Sequence, residues 1–395
     1  MLRRSYDAVV IGAGPAGSMA AREIASGGGE VLLLEKHRRP GWPLCCAEAV
    51  PRASFERFIE PRPDWLCTSI ERVKLTGPND ESVTVFHRDG GYILDRRKMD
   101  YDLAVGAAEA GAELACATVG LEVREEDGIF RRLEVISEDG RREEIEASVF
   151  VAADGVESTV ARRAGLDNTV DLAEVESLLQ YRLENISVAP DTIELHIGQE
   201  VAPGGYLWVF PKAADTVNVG LGIADEVKRH RLLEEHLEAF IDRRFPGGKV
   251  TEKVCGLAPK YQGTGRFRLR NLLVVGDAAR ALDSLSGAGI VNALMSGFYA
   301  GRAALSFIRG ELEDSEEIEA LYPGLFLKEK GEELSLYRKL NNVYKRLNDD
   351  DMIDIIVALR EYFRARTAEG IKAGVLLAGL VKTRPRLLRL IRHLL

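Results

Sequence analysis

Gly12, Gly14 and Gly17 form the pattern GxGxxG within YDAVVIGAGPAGSMA. In that spacing the first glycine permits a tight turn, the second lets backbone approach a pyrophosphate, and the third lets a helix pack closely on a strand. Glu35 closes the next apolar run, VLLLE, where a carboxylate can accept hydrogen bonds from ribose hydroxyls and disfavours a 2′-phosphate. Two more carboxylates follow apolar runs, Asp154 in VFVAADGVES and Asp277 in NLLVVGDAAR. Taken singly, each Asp-Gly or Gly-Asp pair reads as a β-turn. Cys45 and Cys46 are adjacent, and a bridge between neighbours is strained, so at least one thiol is expected to be free. Five cysteines and six histidines lack both paired metal-ligand spacing and an HExxH-like cluster, so neither a metal site nor a disulfide framework is expected.

The elements that must carry these residues follow from the pattern of apolar runs. Residues 6–11 suit a buried parallel strand, an alanine-rich helix follows the glycines, and residues 31–34 make a second strand. The helix N-terminus would then face the phosphates with unpaired N–H groups and the positive end of its dipole. Residues 272–275 form another buried strand, with Gly287 and Gly289 preceding a new helix. PGGYLWVFP places Tyr206, Trp208 and Phe210 at alternate positions, hence on one face of a strand, with Leu207 and Val209 on the other. That aromatic face could pack on a core or could wall a long apolar ligand, and the pattern alone leaves both readings open.

In this order, the GxGxxG, DG and GD motifs resemble the p-hydroxybenzoate-hydroxylase-like family of FAD proteins over most of residues 1–300. No second dinucleotide fingerprint follows, so the resemblance implies one bound FAD and no separate nicotinamide domain. Within that family, Pro203, Tyr206, Trp208, Phe210 and Pro211 match the PxxYxWxFP signature of the geranylgeranyl reductases. GWPLCCAEAV is similar to their cysteine segment and puts Cys46 at the family's cysteine, while YILDRRKMDYDLA is similar to an arginine motif that supplies Arg96. The archaeal digeranylgeranylglycerophospholipid reductases are the nearest group, and they saturate the isoprenoid chains of ether lipids. The resemblance implies a cofactor set of Gly12, Gly14, Ala16, Gly17, Glu35, Cys46, Ala47, Ala49, Arg96, Val119, Asp277, Gly289 and Ile290. It also implies a catalytic proton donor at Cys46, with Tyr206 or a water the runner-up, and substrate contacts from Tyr206, Trp208 and Phe210. Three positions depart from the family: Ala49 stands for glycine, Met99 for phenylalanine and Ser284 for proline. Ala49 would restrict the backbone if its position needs a positive φ.

The expected fold is α/β: a Rossmann-like FAD-binding domain (residues 1–70, 96–164 and 266–304), an inserted antiparallel β-sheet substrate domain (71–95 and 165–265) and a helical region (305–395). A formal charge of −9 argues against general nucleic-acid binding. No apolar run reaches the ~18 residues that span a bilayer, and an intracellular location is expected. The tail 371–395 has six Lys and Arg residues and no acidic one, with helical apolar spacing after Pro385, which suits peripheral contact with the inner face of an anionic membrane. The partners implied are a geranylgeranyl lipid and an external electron donor, whether NAD(P)H, ferredoxin or deazaflavin. Rival readings are an FAD-dependent hydroxylase or halogenase, although the halogenase WxWxIP segment is missing, and a non-catalytic prenyl carrier.

Overall fold

The computed structural model describes residues 2–168, 175–224, 232–261, 263, 267–312 and 315–364. It divides into two compact units, 1–44 with 96–174 and 259–338, and 45–95 with 175–258 and 339–395.

In the first unit, continuous apolar runs make a sheet buried on both faces, as parallel strands require. Its core order is Leu272–Val274, Arg142–Ala152, Ser5–Ile11, Val31–Leu34 and Glu113–Ala115, all parallel. A hairpin, Thr118–Glu126 and Ile129–Ser137, extends it by pairing with the first half of Arg142–Ala152. Ile11 is paired with both Leu34 and Ala152, and Ala152 with Val274. The carboxyl ends of four strands are therefore level, and Gly12, Glu35, Asp154 and Asp277 follow at one edge, where open α/β sheets bind ligands.

Two helices on this sheet meet through small residues. A Cβ on Gly297 would lie 2.1 Å from the Ala16 carbonyl oxygen, and one on Gly301 would lie 2.7 Å from that of Ala20. Helices Pro15–Ser26 and Ile290–Ile308 thus run parallel, so both positive ends point the same way.

The second unit is an eight-stranded sheet in the order Lys249–Pro259, Val175–Glu184, Thr216–Ala224, Tyr206–Ala213, Thr192–His196, Leu66–Thr76, Ser82–Leu94 and Ala49–Pro51. It departs from the antiparallel expectation at one pair, because Thr192–His196 runs parallel to Leu66–Thr76. One face is covered by helix Leu233–Arg244, whose Leu237, Phe240 and Ile241 pack with Leu207, Val209, Val217, Val219 and Leu221.

Two boundaries differ from the sequence expectation. Residues 45–70 cluster with the second sheet, because Ala49–Pro51 and Leu66–Thr76 both hydrogen-bond to Ser82–Leu94. The helical region is not a unit of its own. Phe326 stacks on Phe267 in the first unit (5.4 Å), while Met352 and Ile356 pack on Val83 and Ile197 in the second. Helix Asp349–Phe363 is started by a capping box in which Asn348 accepts from the Asp351 N–H and Asp351 from that of Asn348. The basic tail 371–395 lies outside the described residues.

Candidate active site

The glycine turn of the first unit divides its labour. Gly12 has φ +106°, and a Cβ there would sit 2.3 Å from the Ala153 carbonyl oxygen. A Cβ on Gly17 would sit 1.8 Å from the Gly12 carbonyl oxygen, so this residue is what lets helix Pro15–Ser26 close on its strand. Around Gly14, by contrast, no atom lies within 4 Å of where a Cβ would be. The open side is the N-terminal end of the helix. Pro15 has no N–H to lose there, and the first intrahelical bond runs from Ser18 N–H to the Gly14 carbonyl, leaving the first-turn N–H groups of Ala16 and Gly17 outside the helical ladder.

Glu35 is buried and points back at this turn. Its Oε2 accepts from the Ala13 N–H (3.1 Å), and its Oε1 meets the backbone N–H (2.9 Å) and Nδ1 (2.8 Å) of His37. The carboxylate is thus fixed in orientation, with lone pairs to spare for a hydroxyl donor. Val119 is exposed, next to Thr118, whose N–H donates to the Glu35 carbonyl.

At the other strand ends, Asp154 Oδ2 accepts from the Val160 N–H (2.9 Å), while its Oδ1 is buried without a partner. Burial pushes the Asp154 carboxyl up from its ordinary value, and the backbone N–H of Val160 opposes this. Asp277 is pushed up by burial as well, against the pull of Arg96 and Arg280. A Cβ on Gly289 would lie 3.4 Å from Asp277 Oδ1, and Ile290 opens the helix that follows. Arg96 is held by a bidentate pair with Asp100 (2.7 and 2.6 Å). Arg96, Asp277, Gly289 and Ile290 are therefore brought together, as are Gly12, Gly14, Ala16, Gly17 and Glu35.

Sequence reasoning missed what ties these turns to each other. Arg280 is almost wholly buried, yet its guanidinium donates to the carbonyls of Val156, Asp277 and Asn168. Ser158 Oγ and Asn168 Nδ2 both donate to the Ala278 carbonyl (3.1 and 2.8 Å). The DG and GD turns form one hydrogen-bonded block. Its only sequence signal is an arginine three residues past Asp277.

These residues fit a dinucleotide. Open space before Gly14, two parallel helix N-termini and an orphaned carboxylate oxygen on Asp154 are what a pyrophosphate and hydroxyl-bearing chains would satisfy.

In the second unit, Tyr206, Trp208 and Phe210 do share a face. Trp208 lies 5.9 Å from Tyr206 and 6.3 Å from Phe210, centroid to centroid. They pack with Ile70 and Ile93, and Ala47, Ala49, Cys67, Ile193 and Leu195 border the cluster. Opposite Trp208 across the ladder is Gly220, where a Cβ would come within 2.4 Å of the indole ring, so the ring lies flat on a strand that has no side chain there.

The cysteine segment is wired to this face. The Trp208 indole N–H donates to Gln180 Oε1 (2.9 Å), and Gln180 Nε2 donates to the Cys46 carbonyl (3.2 Å). Cys46 is half-buried, and its Sγ accepts from the Glu48 N–H (3.2 Å). Ala49 needs no positive φ, since it begins strand Ala49–Pro51; the left-handed residue is its neighbour Glu48, at φ +74°. Cys67, a second thiol bordering the aromatic face, was also missed. Burial raises it above its ordinary value, and the Lys212 ammonium opposes that rise.

Known proteins bear on this arrangement. The family model of the geranylgeranyl reductase catalytic domain matches residues 174–258, and that of an NAD(P)-binding Rossmann-like domain matches residues 10–53. The digeranylgeranylglycerophospholipid reductase of Methanosarcina acetivorans is 33% identical over 389 residues, which cover 97% of this chain and 94% of that one. The chain belongs to the geranylgeranyl reductase family. A digeranylgeranylglycerophospholipid reductase of Methanoculleus marisnigri is 38% identical over 77% of both chains. A geranylgeranyl bacteriochlorophyll reductase-like protein from Thermoplasma acidophilum superposes with a TM-score of 0.91 at 27% identity, over 99% of this chain and all of that one. The α/β fold with its Rossmann-like unit is thus that of a geranylgeranyl reductase. The family's catalytic match spans the strands that carry Gln180, Trp208, Lys212 and Asn218.

Proposed function

We propose that the protein is an FAD-dependent reductase that saturates C=C bonds in the geranylgeranyl chains of archaeal ether phospholipid precursors, with Cys46 as the proton donor. The observation that carries this reading is the hydrogen-bonded chain Trp208–Gln180–Cys46, which joins an aromatic face to a half-buried thiol within one unit. Bound and reduced, FAD supplies a hydride to one alkene carbon. The alkene is not conjugated to a carbonyl, so the other carbon must receive a proton as the hydride arrives. We assign that proton to the Cys46 Sγ–H, with the thiolate regaining its proton from solvent; Tyr206 is the second choice. An external carrier of the NAD(P)H, ferredoxin or deazaflavin class recharges the flavin.

The apolar chain offers no polar handle along its length, so its binding rests on burial, at ~0.8 kcal/mol per CH₂. Rigid rings such as Tyr206, Trp208 and Phe210 supply such a surface at low entropic cost. On the dinucleotide side we assign the pyrophosphate to the first-turn N–H groups of Ala16 and Gly17, ribose hydroxyls to Glu35, and the flavin end to Asp277, Gly289 and Ile290. We place Arg96 near the pyrophosphate, Val119 at the adenine, and Cys46, Ala47 and Ala49 toward the isoalloxazine. We also propose that residues 371–395 bring the enzyme to an anionic membrane surface; among the described residues no helix is long and apolar enough to cross a membrane.

One experiment tests the central reading. The purified protein is reduced with dithionite, digeranylgeranylglyceryl phosphate is added, and mass spectrometry follows the gain of hydrogen pairs. Successive two-hydrogen additions are expected. A colourless protein that binds the lipid unchanged would instead support the carrier, and oxygen consumption with an aromatic substrate would support a hydroxylase. Wild-type saturation rates in Cys46→Ser would remove the thiol from the mechanism.

A further inference from the structure

Glu48 is the most heavily constrained residue beside the thiol. Only 1% of its surface is exposed, and its Oε2 accepts from three donors on three strands: Asn218 Nδ2 (2.8 Å), Lys212 Nζ (2.9 Å) and Arg182 Nη2 (3.3 Å). Its backbone is fixed as well. The carbonyl accepts from the Leu94 N–H (2.8 Å), the Leu94 carbonyl accepts from Lys212 Nζ (2.6 Å), and the Glu48 N–H donates to Cys46 Sγ (3.2 Å).

Fold stability gives no reason for this arrangement. A left-handed glutamate is strained where glycine would not be, and burying an ion pair is often no better than packing apolar groups of the same volume. Strain of this kind persists where the surroundings over-determine it, and such places are commonly functional. What the arrangement does secure is direction. The left-handed turn at Glu48 brings its N–H onto the sulfur two residues back, and the three-strand clamp on the carboxylate holds that turn.

We propose that Glu48 is a positioning residue for Cys46: its carboxylate, clamped by Lys212, Arg182 and Asn218, fixes the turn that aims the thiol. The inference rests on the reading of Cys46 as proton donor, and its test separates the two.

Glu48→Gly accepts the left-handed backbone but releases the clamp, and Glu48→Gly/Lys212→Met also removes the stranded ammonium. Both are expected to keep FAD and the fold while kcat for lipid saturation drops by about tenfold or more, KM for the lipid moving far less. Iodoacetamide alkylation of Cys46, followed by peptide mass mapping, should change by a similar factor, while exposed Cys255 reacts as in wild type. Should the glycine variants not fold, Lys212→Met alone decides, since it keeps Glu48 and loosens its clamp. Wild-type kcat and wild-type Cys46 alkylation in any folded variant would overturn the proposal. If Cys46→Ser reduces lipid at full rate, the proton-donor role fails, and the alkylation readout still judges whether Glu48 aims the thiol.

Discussion

Gly14 sits at φ −72° and ψ −177°, extended backbone that any residue adopts, and no protein atom would touch its Cβ. Nothing in the protein itself demands glycine there; the proposed pyrophosphate would. Gly14→Val is therefore expected to fold with near-wild-type melting and to purify without flavin, measured by absorbance near the ~450 nm flavin band. Gly17→Ala should behave in the opposite manner. Its Cβ meets the Gly12 carbonyl at 1.8 Å, so the variant should lose about 1–3 kcal/mol of stability by denaturant titration, as overpacking does. Flavin retention in Gly14→Val would sink the pyrophosphate assignment. The glycine turn was legible in the sequence because all its parts lie within one local unit. Glu48 was not legible, since its meaning comes from Lys212, Arg182 and Asn218, each more than a hundred residues away in the chain.

At the level of the strand, Tyr206–Ala213 carries two kinds of information on its two faces. Leu207 and Val209 serve the helix-covered core, and alternation made that division legible. The aromatic face needed more than alternation, because Trp208 depends on Gly220 beneath it on the neighbouring strand and on Gln180 at its edge, one strand further out. Gly220→Ala should lift the indole and break its bond to Gln180, at a cost of about 1–3 kcal/mol, and weaken long isoprenoids while FAD stays bound. Its tryptophan emission should differ from wild type, and the same change made in Trp208→Phe should leave emission unaltered. The adjacent strand Thr192–His196 offers a pH test. Glu194 is nearly buried and is held down to about 2 by the hydrogen bond to His196, with Arg244 and Lys74 helping. A folded value below the ordinary 4.5 means that the unfolded chain binds more protons in that window. The contribution is then complete above pH ~4.5 and fades as pH falls toward ~2. Glu194→Gln should cost up to ~3 kcal/mol at neutral pH, and its unfolding curve should converge on the wild-type curve at the acid end. A gap that stays constant from pH 7 to pH 2.5 would show that the charge is not what matters there.

For the molecule as a whole, fold class followed from the order of strand, glycine turn, helix and carboxylate, whereas the extent of each unit did not. The assignment of residues 45–70 depends on ladders to residues 82–94, and no local pattern announces which remote strand a short segment will join. Charge is the other property of the whole chain. With a formal −9, the protein should be repelled by an anionic bilayer, yet Lys372, Lys382, Arg384, Arg386, Arg389 and Arg392 concentrate positive charge in its last stretch. In the sequence, Leu387, Leu388, Ile391, Leu394 and Leu395 follow at a spacing that would put them on one side of a helix. Each basic residue near an anionic surface is worth ~1 kcal/mol, so Arg386, Arg389 and Arg392 together with an inserted apolar side would be enough for the reversible binding proposed above. Deleting residues 385–395 should therefore reduce sedimentation with phosphatidylglycerol-containing vesicles and leave FAD content and turnover of detergent-dispersed lipid intact. Raising the salt should weaken binding of the intact protein and have a smaller effect on the truncated one, which keeps only Lys372, Lys382 and Arg384 of the six, because screening acts on the charges alone. Binding that survives the deletion or ignores salt, or its absence in the intact protein, would remove the tail from the proposed membrane role.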